Sequence, residues 1–333
     1  MGAVKVLTAL FGPIDAVERA RALREAGAAG VFTFEGPHDV FAPLTLASTV
    51  GGLDLMTNVA IAFPRNPIQL AHQAYDHQLL SGGRFTLGLG TQIRTQIEKR
   101  YGTAFSPPVA RMRELIAALR AIFGVWQDGG RLDFRGDFYH HTLMTPTFNP
   151  GPNPLGPPPI YVGALGPRLT RAAAEVADGL LVMPFGSERF LREATMPAVR
   201  DGLAAAGREP ADFAVVPEVI VSAGEDHQAT RRLLAFYGST PAYRPVLDIH
   251  GWGDLQPELN MLSKQGRWAE MGGLISDEML HTIAACGTPA QIAAHVRERV
   301  AAAGGSAGTV CLYQPGPIPV DVLAGIVDAL ADV

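Results

Sequence analysis

Short apolar runs of strand length alternate along this chain with stretches whose apolar residues recur at helical spacing. Val4 to Phe11 is one such run, broken by Gly12-Pro13, and in Asp15 to Ala26 the residues Val17, Ala20 and Leu23 share one helical face before Gly27. Gly30 to Phe34 is a second strand, followed by the polar loop Glu35-Gly36-Pro37-His38-Asp39 and a compact helix from Pro43 to Val50. Thr57 to Phe63 reads as the third strand, Pro67 to Leu80 as a helix and Arg84 to Gly90 as the fourth strand. Apolar strands alternating with helices imply a parallel sheet covered by those helices.

The rhythm breaks once and resumes. Arg111 to Trp126 is an amphipathic helix with Leu115, Ala118, Leu119 and Ile122 on one face. Arg131 to His141 then alternates around Gly136-Asp137 as a small hairpin would, and Thr145 to Pro159 is too rich in proline for regular structure. Both are expected as an insertion over one end of the sheet. Strands follow at Pro159–Gly163, Gly179–Met183, Phe213–Ser222 and Thr309–Tyr313. The helices between and after them fall at Pro167–Ala177, Ser187–Ala206, His227–Tyr237, Pro289–Ala303 and Val320–Leu330. The block from Pro241 to Leu280, with Trp252 and Trp268, has no strand run and reads as inserted helices. Eight strands predict an α/β fold, a (β/α)8 TIM barrel, with a doubly wound open sheet as the competing architecture. With no internal repeat or linker, residues 1–333 read as one domain with insertions at about 131–158 and 241–283.

Charge and cysteine content narrow the partners. A formal net charge of −5 and the absence of a Lys/Arg run disfavour nucleic acid or an anionic membrane and favour a small molecule. The two cysteines, Cys286 and Cys311, lack metal-type spacing and read as core thiols of a reducing compartment. No signal-like or membrane-spanning segment is recognisable, so a cytoplasmic location is expected.

In a barrel, ligands sit at the C-terminal ends of the strands, which selects four places. After strand two lie Glu35, His38 and Asp39; His38 can act as a general acid/base or hydrogen-bond a cofactor carbonyl. A metal half-site there is disfavoured because no second group completes it. At the end of strand three, the small residues of Ala60-Ile61-Ala62 before Phe63-Pro64 let a ring lie against the backbone, and Arg65 meets an anion or is a surface charge. After strand four, Gly88 and Gly90 remove side chains so that a flat ligand or another backbone can approach. Thr91, Gln92 and Arg94 follow as donors. After strand five, Gly163-Ala164-Leu165-Gly166-Pro167-Arg168 leads into a helix whose N-terminus suits a phosphate, with charge from Arg168 or Arg171. Elsewhere, His72, Asp76 and His77 fall on one outer helix and are read as surface residues, while His140-His141 can line a pocket rim. Neither a Gly-x-Ser-x-Gly elbow, a phosphate-loop Gly-Lys-Ser/Thr pattern nor a Rossmann fingerprint is present.

These segments together resemble the bacterial luciferase-like superfamily, and most closely its branch that uses the deazaflavin coenzyme F420. The resemblance rests on Glu-Gly-Pro-His-Asp-Val-Phe-Ala-Pro-Leu (35–44), Thr-Asn-Val-Ala-Ile-Ala-Phe-Pro-Arg-Asn-Pro (57–67) and Leu-Leu-Ser-Gly-Gly-Arg-Phe-Thr-Leu-Gly-Leu-Gly (79–90). Pro-Ile-Tyr-Val-Gly-Ala-Leu-Gly-Pro (159–167) and Ala-Ala-Glu-Val-Ala-Asp-Gly-Leu (173–180) extend it over nearly the whole chain. It implies a barrel holding F420 or flavin mononucleotide in its mouth, often as a homodimer. His38 then lies near the reactive ring with Glu35, a bulge after strand three backs that ring, sometimes with a non-proline cis peptide, and Gly163 to Arg168 hold the phosphate. The implied activity is hydride transfer between F420 and a small organic substrate. The alternatives are a two-component flavin monooxygenase served by a separate reductase and a barrel that binds flavin without turnover. Related sugar-phosphate dehydrogenases carry an acidic residue where this chain has Thr91, which argues against that substrate class.

Overall fold

The computed structural model describes residues 4–304 and 308–331. Eight parallel strands close on themselves: β1 (Lys5–Ala9), β2 (Gly30–Thr33), β3 (Asp54–Thr57), β4 (Phe85–Gly90), β5 (Ile160–Ala164), β6 (Gly179–Val182), β7 (Ala214–Ala223) and β8 (Thr309–Tyr313). Each pairs with the next, and β8 returns to β1 with Leu7 beside Cys311, so the sheet is a barrel and the open-sheet alternative falls away. Alternation within the strands sorts their side chains. Val6, Val31 and Leu55 face the helices, whereas Leu7, Phe32, Met56, Leu181, Val216 and Cys311 meet inside the barrel.

Most elements lie where the periodicity puts them, including the helices Pro67–Leu80, Pro167–Val176 and Pro289–Ala302. Strand three is the main correction. It runs from Asp54 to Thr57, breaks at Asn58 and Val59, and only Ala60–Ile61 resumes as a two-residue strand on β4. Asp54 interrupts the apolar pattern and hides the strand's start; its carboxylate is held by Lys5 Nζ at 2.9 Å. A short helix, Arg94–Lys99, and a strand, Ala284–Gly287, were also not anticipated. The latter takes up the edge of β7 beyond the point where β6 leaves it.

The hairpin is present as Phe134–Arg135 against His140–His141, and the carboxylate of Glu114 accepts from the backbone N–H groups of Asp137, Phe138 and Tyr139 to hold it. The block after Pro241 holds four short helices joined by turns: Arg244–Asp248, Leu255–Lys264, Trp268–Gly273 and Asp277–Ile283. His77 is not a surface residue. It is buried between Phe41 and Phe85, with Nε2 3.0 Å from Thr45 Oγ1 and Nδ1 2.7 Å from the Gln73 carbonyl. Among the described residues, no helix is long and apolar enough to cross a membrane.

Candidate active site

The C-terminal mouth of the barrel is built around the interruption of β3. The Thr57 hydroxyl donates to the Gly88 carbonyl at 2.8 Å and accepts from the Gly88 N–H at 2.9 Å. The next peptide, Asn58–Val59, is cis, and the chain re-enters the sheet with Ala60 beside Leu89 and Ile61 beside Gly90. A Cβ at Gly88 would stand 1.9 Å from the Thr57 carbonyl oxygen, one at Gly90 2.4 Å from Val59 Cγ2 and one at Gly163 2.9 Å from Val59 Cγ1. What comes close to these glycines is therefore a neighbouring strand of the same chain. They seat a bulge that leaves Val59 half-buried at the mouth.

Asn58 is tied on two further sides. Its N–H donates to the Thr33 carbonyl at 2.6 Å, and its side-chain Nδ2 donates to Glu218 Oε2 at 3.0 Å. Glu218 lies on β7, the strand opposite β3, so this bond crosses the barrel interior. Burial pushes the Glu218 carboxyl up to about 8, against the opposing effect of the Asn58 hydrogen bond. The Cys311 thiol and the phenols of Tyr313 and Tyr237 share this environment, and burial pushes all three above their ordinary values. Tyr313 also completes an aromatic wall with Phe11 and Phe34 from the ends of β1 and β2, at centroid distances of 5.5 to 6.4 Å.

The residues singled out from sequence divide into two groups. Glu35 accepts from the Ile61 N–H at 3.0 Å, and its two oxygens pair with the two terminal nitrogens of Arg65 at 2.9 and 3.2 Å. Arg65 also donates to the Ile61 carbonyl at 2.7 Å, so this half-buried pair fastens the loop after β2 to the bulged segment. With both oxygens so engaged, Glu35 ties the loop after β2 to the bulged segment, and Arg65 is not a loose surface charge. One Asp39 oxygen accepts from the N–H groups of Phe41 and Ala42, capping the helix Ala42–Ser48. Ala60, Ile61, Ala62 and Phe63 are all buried and form the wall behind the bulge.

The second group opens onto the mouth. His38 is exposed, and its imidazole lies against Gly12, where a Cβ would come within 2.7 Å of Cδ2. Thr91 and Gln92 are half-buried beyond β4, with Gln92 at φ 55°. At the end of β5 Ala164 is buried, and beyond it Leu165 is half-buried and Gly166 and Arg168 are exposed. Gly166 precedes the helix Pro167–Val176, whose first turn has no side-chain cap, and the space at Gly166 is open.

Sequence reasoning missed Phe11, Phe34, Asn58, Glu218, Tyr237 and Tyr313. A signal existed for one of them. In Val-Val-Pro-Glu-Val-Ile-Val (215–221) a single carboxylate interrupts an otherwise apolar strand at an inward-facing position.

A parallel barrel whose mouth combines a bulged third strand with an uncapped helix after the fifth defines a class of enzyme that binds its ligands at the strand ends. The chain belongs to the family described as luciferase-like monooxygenase, whose model matches residues 4–307. It is 49% identical over 292 residues to an uncharacterized protein of Mycobacterium tuberculosis, covering 85% of this chain and 86% of the relative. It is 29% identical over 230 residues to the 5,10-methylenetetrahydromethanopterin reductase of Archaeoglobus fulgidus, covering 66% and 65%. In fold it is similar to the coenzyme F420-dependent tetrahydromethanopterin reductase of Methanopyrus kandleri, with a TM-score of 0.81 and 19% identity over 99% of this chain and 98% of that one.

Proposed function

We propose that this protein is an F420-dependent oxidoreductase that transfers a hydride between the deazaflavin ring and a small organic substrate. The observation that carries the reading is the Val59 bulge, seated on Gly90 and Gly163 in the middle of the mouth. The mouth suits a flat ring with an anionic tail. Val59 offers an apolar edge for the ring to rest on, and the open first turn at Gly166 to Arg168 offers backbone N–H groups and a cation for the phosphate. When bound, F420 supplies the hydride chemistry. Thr91 and Gln92 are placed to hydrogen-bond a polar ring edge, and Glu35 with Arg65 keeps the bulged segment in place. The aromatic wall of Phe11, Phe34 and Tyr313 excludes water and favours an apolar substrate face. His38, exposed above Gly12, supplies or takes up the proton that accompanies hydride transfer.

On this reading the chain is one barrel domain with the segments 131–158 and 241–283 shaping the substrate side. The homodimer implied by the family is checked by light scattering. Because the family is described as monooxygenases, reduced flavin mononucleotide is the competing cofactor. A fluorescence titration of the full chain with F420 and, separately, with flavin mononucleotide decides between them. Tight F420 binding with weak flavin binding supports hydride transfer, preference for reduced flavin reassigns the protein to monooxygenation, and binding of neither refutes the cofactor reading.

A further inference from the structure

We propose that Glu218 is a positioning residue of this site: through Asn58, its carboxyl sets where Val59 stands in the barrel mouth. The inference rests on reading that mouth as the cofactor site.

A fully buried carboxyl at an inward position of β7 is costly, and a leucine or methionine would fill the same space at lower cost. The group therefore does something that packing does not. Its hydrogen-bond partner is the side chain of Asn58, on the opposite wall of the barrel and directly before Val59. Asn58 is pinned at its backbone by Thr33 and at its side chain by Glu218, and Val59 is wedged between Gly90 and Gly163. The glycine slots fix the bulge from beside it, and Glu218 fixes it from below. Without the carboxyl, the buried Asn58 amide loses its oxygen acceptor across the barrel and keeps only the weak acceptor sulfur of Cys311, so turning towards water at the mouth becomes the better way to satisfy it. Val59 then moves with it.

The test uses the full chain with Glu218→Gln, Glu218→Leu, Asn58→Ala and the double variant Glu218→Leu/Asn58→Ala. Glutamine still accepts from Asn58; leucine does not. Amide hydrogen exchange over residues 58–62 of the cofactor-free protein is expected to be at least tenfold faster in Glu218→Leu and in Asn58→Ala. Exchange is expected to stay at the wild-type rate in Glu218→Gln, and the double variant to be no faster than either single one. F420 affinity is expected to fall at least tenfold in Glu218→Leu, even where its thermal midpoint matches or exceeds wild type, and to recover in Glu218→Gln. Unchanged exchange in Glu218→Leu overturns the inference. Should that variant not fold, unchanged exchange in Asn58→Ala overturns it equally. Failure of the wild type itself to bind F420 would sink the cofactor assignment, while the exchange measurement still decides whether Glu218 positions the bulge.

Discussion

Replacing Glu218 by glutamine should make the protein's stability less dependent on pH, and by an amount the burial of the group sets. The carboxyl is pushed up to about 8, whereas in the unfolded chain it titrates near 4.3. Between these values the folded state holds a proton that the unfolded state has released, so raising the pH favours unfolding. The loss begins near pH 4.3, grows by about 1.4 kcal/mol per unit and levels off above pH 8, at about 5 kcal/mol in total. The groups facing Glu218 are the Asn58 amide, the Cys311 thiol and the phenols of Tyr313 and Tyr237. None of these changes charge below pH 8, because the amide does not titrate and burial moves the other three upward. Glu218 is thus the member of the cluster that titrates in this window. Urea denaturation of wild type and Glu218→Gln at pH 5, 6, 7 and 8 should show the variant's advantage widening steadily across the series. A gap that is the same at pH 5 and pH 8 refutes the reasoning.

Gly90→Ala places a Cβ 2.4 Å from Val59 Cγ2 and should destabilise by about 1–3 kcal/mol, and adding Val59→Ala should recover most of the loss in thermal denaturation. Gly88→Ala meets a backbone carbonyl at 1.9 Å instead, so no side-chain replacement at position 59 should rescue it. Arg65→Ala leaves the carboxylate of Glu35 without its counter-ion in a largely buried place and should cost about 2–4 kcal/mol, with Glu35→Gln in the same chain restoring part of it. His295 is held down at about 4 by burial, with the charges of Arg299 and His281 acting in the same direction. The contribution of His295 to stability should therefore fall as pH drops from about 6.5 towards 4, opposite in sign to that of Glu218, and the stability of His295→Gln relative to wild type should be higher at pH 5 than at pH 7 in urea titrations.

The barrel was legible because its strands are short apolar runs bounded by glycine and proline, and its helices keep one apolar face. Pro67–Leu80 and Thr309–Tyr313 fall where the pattern puts them. Strand three was misplaced because a charge-paired Asp54 sits inside its beginning and because the chain leaves strand geometry at Asn58 while its residues stay apolar. Periodicity reports which side chains are buried, and both the bulge and the wall behind it are buried. His77 was misread for a related reason: an outer helix of a barrel also packs against its neighbours, and the side of it facing Phe41 and Phe85 is as enclosed as the core. Glu35 and Asp39 were found as polar residues at a strand end, but only coordinates show that one closes an ion pair and the other caps a helix.

The glycines of β4 show why a short pattern can mark a site through the neighbouring chain it admits. Gly88 and Gly90 both point inward, at positions where a barrel would ordinarily place interior side chains. Their absent side chains are replaced by the end of β3 and the bulge after it, the Thr57 carbonyl against one and the Val59 side chain against the other. Here the two glycines and the inward bulge of the neighbouring chain require each other. The Leu-Gly-Leu-Gly motif and the Thr-Asn-Val-Ala segment are two halves of one shape. Inside that shape lies Asn58, whose side-chain amide donates to Glu218 on the far wall. The polar residue that interrupts β7 and the glycines that interrupt β4 thus answer to three consecutive residues, Thr57, Asn58 and Val59, although Gly88 and Glu218 are 130 positions apart in the sequence.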